Sequence, residues 1–167
     1  RYTATAGTLV LRHPNGKARG HVFFVAYTRE GQDVATRPIT FSYNGGPGSP
    51  AIWLHMGLMG PKRVKMASEG FQPGPPYELI ANNESPLDVT DIVMIDPDQT
   101  GFSRAAEGED SKQFTGVTGD IPFSGCLDDA GITAVPAVIL THFHADHVRG
   151  LSGVLRGRSA AAVLATP

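Results

Sequence analysis

The sequence predicts an α/β fold. A mixed sheet with strands near residues 6–12, 20–28, 36–43 and 91–96 is joined to an α-β-loop-α-β segment that begins at about Pro122. Three observations predict it. Runs rich in β-branched and aromatic residues recur in the first hundred positions, separated by strong turn signals. A further compact apolar run, "DIVMID", is bounded by polar turns on both sides. After residue 122, helix-like and strand-like stretches alternate, the pattern of α/β architecture.

The bulk composition bounds the rest. With 41% hydrophobic and 18% charged residues, the 167-residue chain sits in the globular range, the size of one ordinary domain or two very small ones. Twenty glycines and thirteen prolines make it loop-rich. A net charge of −2 leaves no electrostatic footprint for nucleic acid or an acidic membrane surface. No apolar run approaches the length of a membrane span. The single cysteine, Cys126, allows neither an internal disulfide nor a cysteine-based zinc cage, and reads as a small buried hydrophobe. The chain opens on Arg1 rather than Met, as a processed or excerpted segment would, so compartment and oligomeric state are left open.

Taken in order, "AGTLVLR" and "GHVFFVAYT" read as two strands of a hairpin. Asn15-Gly16 is the turn between them, because both residue types tolerate φ > 0. "REGQD" is a second turn, and "TRPITFSY" a third strand running into "NGGPGS". Ser49 is then expected to cap a helix with Pro50 at its first position and "AIWLHMGLM" as its body, stopped by Gly60-Pro61. Trp53 and the methionines are expected in the core, and the hairpin, the third strand and this helix to pack together. "EGFQPGPPYEL" is a Pro/Gly loop, residues 91–96 a strand, and "PDQTGFS" a turn. Residues 104–121 are polar and without clear periodicity. Beyond them, "FSGCLDDAG" suggests a short helix, "AVILT" a buried strand, "VRGLSGVLRG" a second helix and "SAAAVLAT" a last strand.

Two motifs carry chemistry. In "YNGGPGS", glycines let backbone N–H groups turn outward and a substrate approach without a Cβ in the way. Between a strand and a helix, such a loop suits one half of an oxyanion hole, or it is simply a tight turn. No Gly-Lys-Ser/Thr follows, so it is not a phosphate-binding loop. The wider context, "FSYNGGPGSPAIWLHMGLMGPKRV", "NNESPLDVTDIVMIDPDQTGFSR" and "SKQFTGVTGDI", resembles the serine carboxypeptidase family over residues 1–121. That resemblance implies an α/β-hydrolase fold and cleavage of C-terminal residues from peptides. It implies oxyanion and substrate-binding roles for Asn44, Gly45 and Gly46, with Asn44 on the peptide's terminal carboxylate and the Gly46 N–H in the oxyanion hole. Pro50, Leu58 and Asp98-Gln99 depart from the family pattern. The Gly-x-Ser-x-Gly nucleophile element, expected after residue 121, does not occur there. "GFSRA" imitates it but matches a separate turn motif, so Ser103 reads as structural. A triad of Ser103, Asp128 and His142 follows an acceptable chain order, but nothing in the spacing fixes its geometry.

The second motif is "THFHADH", with His142, His144, Asp146 and His147 in an H-x-H-x-D-H pattern. Imidazole and carboxylate donors suit zinc or a similar borderline ion. Alternate residues of an extended loop point the same way, so His142 and His144 can grip one ion while Asp146 and His147 reach a second. Paired ions of this kind activate a water and stabilise a leaving oxygen. His13, His21 and His55 are isolated and read as surface or packing residues. Residues 122–167 resemble the metallo-β-lactamase superfamily, most closely its version in competence-type DNA-uptake proteins. By that resemblance His142 and His144 bind the first metal, and Asp146 and His147 the second. The superfamily's remaining ligands, a further His, a bridging Asp and a final His, would lie downstream of Pro167.

The sequence therefore reads as two truncated segments, 1–121 and 122–167. The leading expectation is a serine-carboxypeptidase-like hydrolase segment without its nucleophile, joined to a partial metal-binding loop and catalytically incomplete. Its partner would be a peptide C-terminus, with one or two zinc ions at the second segment. The alternatives are a zinc-dependent metallo-β-lactamase-type hydrolase or metal-binding module, and a non-functional chimeric fragment.

Overall fold

Strand β2 organises the first half of the molecule. The computed structural model describes residues 1–33, 36–44, 48–67, 70–71 and 73–114, together with the backbone of two later strands, 134–140 and 159–165. Strands β1 (Tyr2–Arg12) and β2 (Ala18–Arg29) form an antiparallel hairpin in which Gly7 faces Phe24 and Leu9 faces Val22. At the turn, the His13 carbonyl accepts the Gly16 N–H at 2.8 Å. Only Gly16 is left-handed, at φ +83°. Asn15 instead accepts the Lys17 N–H on its side-chain oxygen, at 3.0 Å. The expected turn forms, and of the two residues that tolerate positive φ only the glycine uses it. A separate register slip follows one pair further out, between Leu11 and Arg12.

Strand β6 (Asp91–Ile95) lies between β2, to which it runs antiparallel, and β3 (Ile39–Tyr43), to which it runs parallel. The strand order is β1-β2-β6-β3, with the two-residue β7 (Arg104–Ala105) also pairing with β2. Its sequence does not alternate because both faces are covered. Ile92 and Met94 pack on one face with Ala51 and Leu87, while Ile95 packs on the other with Leu11, Val22 and Phe114. Ile92 is fully buried and Met94 nearly so, each contributing about 2 kcal/mol through removal from water. The mixed sheet is thus observed, but the third strand of the chain is not the neighbour of the hairpin. A parallel pair needs a long crossover, and residues 44–90 supply it.

The expected helix over 50–59 is corrected. Its α-helical part is one short turn, α1 (Ile52–Leu54), which continues as a π-helical stretch over His55–Met59. Ser49 does not cap it; Ala51 stands at the cap position and no side chain closes the turn. The far end is held from outside. Asn82 donates to the carbonyls of Leu58 and Gly60 at 2.7 and 2.8 Å, and the Ser85 hydroxyl donates to Met59 at 2.7 Å. These side chains satisfy carbonyls that a helix end leaves open. Trp53 is 69% exposed, which corrects its placement in the core; of the methionines, Met94 is buried and Met66 exposed.

Within the Pro/Gly-rich region, Leu79 begins a short strand, β5 (Leu79–Ala81), that pairs with β4 (Lys62–Val64). The two later strands, β8 (Ala134–Leu140) and β9 (Ser159–Ala165), pair in parallel in a sheet of their own. Both were expected as strands from their apolar runs. The two helices expected around them lie outside the described residues. No described helix is long and apolar enough to cross a membrane.

Candidate functional site at the carboxyl ends of β3 and β6

Because β3 and β6 are parallel, they end together, with Tyr43 opposite Ile95. The next residues are Asn44 on one strand and Asp96 on the other. In open α/β sheets ligands bind in the crevice outside the carboxyl ends of the strands. The glycine-rich loop leaves β3 at that point.

Asp96 ties the surrounding backbone together. One carboxylate oxygen accepts the Ala51 N–H and the other accepts the Phe102 N–H, each at 2.9 Å. The segment after the glycine loop and the turn after β6 are therefore fastened to the same side chain. The Asp96 carbonyl accepts the Ser103 hydroxyl at 2.8 Å, and that hydroxyl oxygen accepts the Phe23 N–H at 2.9 Å. Ser103 is fully buried and its bonding capacity is spent on the fold, in agreement with its structural reading. It is no nucleophile. Asp128 and His142, the other members of the triad weighed from chain order, lie outside the described residues.

The turn 97–102 has to pass very close to Asp96. At Gly101, with φ +49°, a Cβ would lie 1.8 Å from a carboxylate oxygen, so only glycine fits. Gln99 is also left-handed, at φ +63°, and its buried side-chain nitrogen has no hydrogen-bond partner among the described residues.

Beside Asp96 lies a cavity of about 250 Å³ with walls from Phe23, Val25, Met94 and Phe102 and polar edges from His55 and Asp96. His55 is half-buried, and its Nε2 lies 2.6 Å from the Tyr27 hydroxyl. Burial lowers the imidazole pKa against the opposing pull of the Asp96 charge, so the ring is neutral at neutral pH. Burial, and then the neighbouring Tyr2, raise the Tyr27 pKa. The pair is thus an uncharged hydrogen-bonded unit at the rim of an apolar cavity. It can orient a polar group of a ligand without adding charge.

Of the residues assigned from the sequence, Asn44 is half-buried and directly follows β3. Gly45 and Gly46 lie outside the described residues, as do His142, His144, Asp146 and His147. Among the described residues no cluster of three or more His, Cys, Asp or Glu side chains could hold a metal. Sequence reading missed Asp96, Gly101 and the His55–Tyr27 pair. The available signal was the acid at the end of an apolar strand followed five residues later by glycine.

Comparison with known proteins returns both resemblances. Residues 115–166 match the family model of the metallo-beta-lactamase superfamily. The fold is similar to the crystal structure of Kex1(delta)p, a prohormone-processing carboxypeptidase from Saccharomyces cerevisiae, with a TM-score of 0.65 at 19% identity. That match covers 97% of this chain and 38% of the yeast chain, so this chain spans well under half the length of that protein. At such identity the likeness is one of fold. No curated protein matches.

Proposed function

We propose that the chain is of hydrolase type and joins two segments, 1–121 and 122–167. The first is a serine-carboxypeptidase-like segment that receives the carboxyl end of a peptide outside the ends of β3 and β6. The observation that carries this reading is the parallel pairing of those strands, which brings Asn44 and the start of the glycine-rich loop next to the Asp96 tie. There the Asn44 amide would donate to the terminal carboxylate, and the Gly46 N–H would polarise the carbonyl of the last peptide bond. The apolar cavity accommodates a small side chain, and neutral His55 adds no charge of its own. Ser103 is committed to the fold, so residues 1–121 bind and orient, and cleavage requires a serine from elsewhere.

The test compares one peptide with a free carboxyl end and the same peptide amidated. The free form is expected to bind more tightly, and Asn44→Ala to weaken it about tenfold, the loss of one hydrogen bond to a charged group. Equal binding of both peptides sinks the reading. Labelling by a serine-directed fluorophosphonate would show that a nucleophile exists after all and would remove the incompleteness.

A second reading, favoured by the family match over residues 115–166, is a metal-binding module. Three imidazoles and a carboxylate suit zinc, and His142, His144, Asp146 and His147 would hold one or two ions. When bound, such ions lower the pKa of a coordinated water. Thermal unfolding should shift upward with zinc, by about 2.7 kcal/mol at a hundredfold excess over Kd. A His142→Ala/His144→Ala double variant that keeps the full shift would end this reading.

A further inference from the structure

Strand β1 is an edge, paired with β2 on one side and with no described residue on the other. Natural sheets protect such edges with charge, proline, bulges or shortness. The opposite edge, β3, is only five residues long and is preceded by Pro38. β1 has eleven residues, and from Tyr2 to Leu11 it carries no charge, no proline and no bulge before the slip at Leu11/Arg12. Leu9 and Val10 are 47% and 41% exposed on it.

We propose that β1 pairs antiparallel with β1 of a second copy of this chain, about a two-fold axis at Gly7. The residue pattern selects both the partner and the register. In antiparallel pairs, directly opposite residues share the same hydrogen-bonding type, so their numbers on a self-pairing strand must sum to an even value. Pairing all eleven residues requires the midpoint of Tyr2–Arg12, which is Gly7 and meets that condition. Tyr2 then faces Arg12 of the second copy, Thr3 faces Leu11, Ala4 faces Val10, Thr5 faces Leu9 and Ala6 faces Thr8. No like charges meet, and an arginine lies by an aromatic ring at each end. Parallel self-pairing in register would instead set Arg12 against Arg12. The two-fold arrangement consumes the edge in both copies, so it stops at a dimer.

Sedimentation equilibrium of the full chain tests this. A concentration-dependent monomer–dimer equilibrium is expected. In a Thr5→Lys/Leu9→Lys variant, each lysine faces a lysine of the other copy, and association should fall tenfold or more. A Thr5→Lys/Leu9→Glu variant sets opposite charges face to face and should dimerise again, with an unchanged far-ultraviolet spectrum. Should the charged variants not fold, Thr5→Cys/Leu9→Cys in a Cys126→Ser background gives a disulfide-linked dimer under mild oxidation, whereas Thr5→Cys alone does not. A wild-type chain that stays monomeric, assembly that continues past two copies, or equal association of the two lysine variants would overturn the proposal.

Discussion

The two ends of β6 are fastened in opposite ways. At its amino end, Asp91 meets a cation: Arg37 Nε donates to its carboxylate at 2.6 Å, both side chains are nearly buried, and the Arg29 N–H adds a bond at 3.0 Å. Arg37 also donates to the Leu87 carbonyl. At its carboxyl end, the described bonds to the Asp96 carboxylate are two backbone amides, from Ala51 and Phe102. The first arrangement neutralises charge and holds the sheet to the turn at residues 86–88. The second leaves the carboxylate as a local negative group and uses it to shape two backbone segments. Charge pairing serves where only stability is needed, and amide bonding where loop geometry matters, beside the cavity and Asn44.

Four substitutions and one titration sharpen that contrast. Arg37→Ala should have the largest effect, a loss of about 4 kcal/mol in chemical denaturation, because it strands a buried carboxylate without its cation. A loss below about 1 kcal/mol would show that the amino end does not depend on the pair. Gly101→Ala should cost about 3 kcal/mol, from a Cβ driven into Asp96 and a left-handed backbone. It should also weaken the peptide binding proposed at Asn44, whereas Arg37→Ala in its folded fraction should not. Ser103→Ala should cost about 2 kcal/mol, since it removes one hydrogen bond and leaves the half-buried Phe23 N–H without its acceptor.

Acid separates the two ends as well. His55 has a pKa lowered from 6.5, so the unfolded chain binds its proton first, and stability falls as pH drops below about 6.5. For Asp91, burial would raise the pKa, but the Arg29 N–H and the Arg37 bond and charge outweigh it. Its depressed pKa contributes stability that is present above the unfolded value of 3.8 and lost as pH falls through the folded one. A stability–pH curve with an early bend that disappears in His55→Gln, and a later acid limb that shrinks in Arg37→Ala, is expected; one shared limb would refute the separation. Glu109, held down to about 2 by Gln113 and by His13 and Lys17, adds to the acid limb. Smallest of all, Trp53→Ala should change stability by less than about 0.5 kcal/mol, as its 69% exposure requires.

Much of the local structure was legible in the residues. The β-branched and aromatic runs mark the strands β1, β2 and β3, and the compact apolar "DIVMI" run marks β6. Ser103 reads as structural because its motif matches a turn, and its burial and two hydrogen bonds to the backbone agree. The helix over 50–59 was misread because its apolar spacing suits several helix types. Distant Asn82 and Ser85, not a local cap, hold its carboxyl end. The polar contacts around the cavity were not legible. Asp96 and His55 looked ordinary, since their partners Ala51, Phe102 and Tyr27 are separated from them by 45, 6 and 28 positions, and spacing within a short window does not reveal such contacts.

By itself the sequence determined which segments extend, where the hairpin turns, and where glycines and histidines cluster. Those properties reside in single residues and their near neighbours: backbone freedom at glycine, steric preference at β-branched positions, donor type at histidine. Tertiary structure alone decided that β6 enters between β2 and β3, and hence that Asn44 and Asp96 end side by side. Strand order depends on which apolar faces find cover after a crossover of almost fifty residues, and that is settled by packing between distant segments rather than by any local preference.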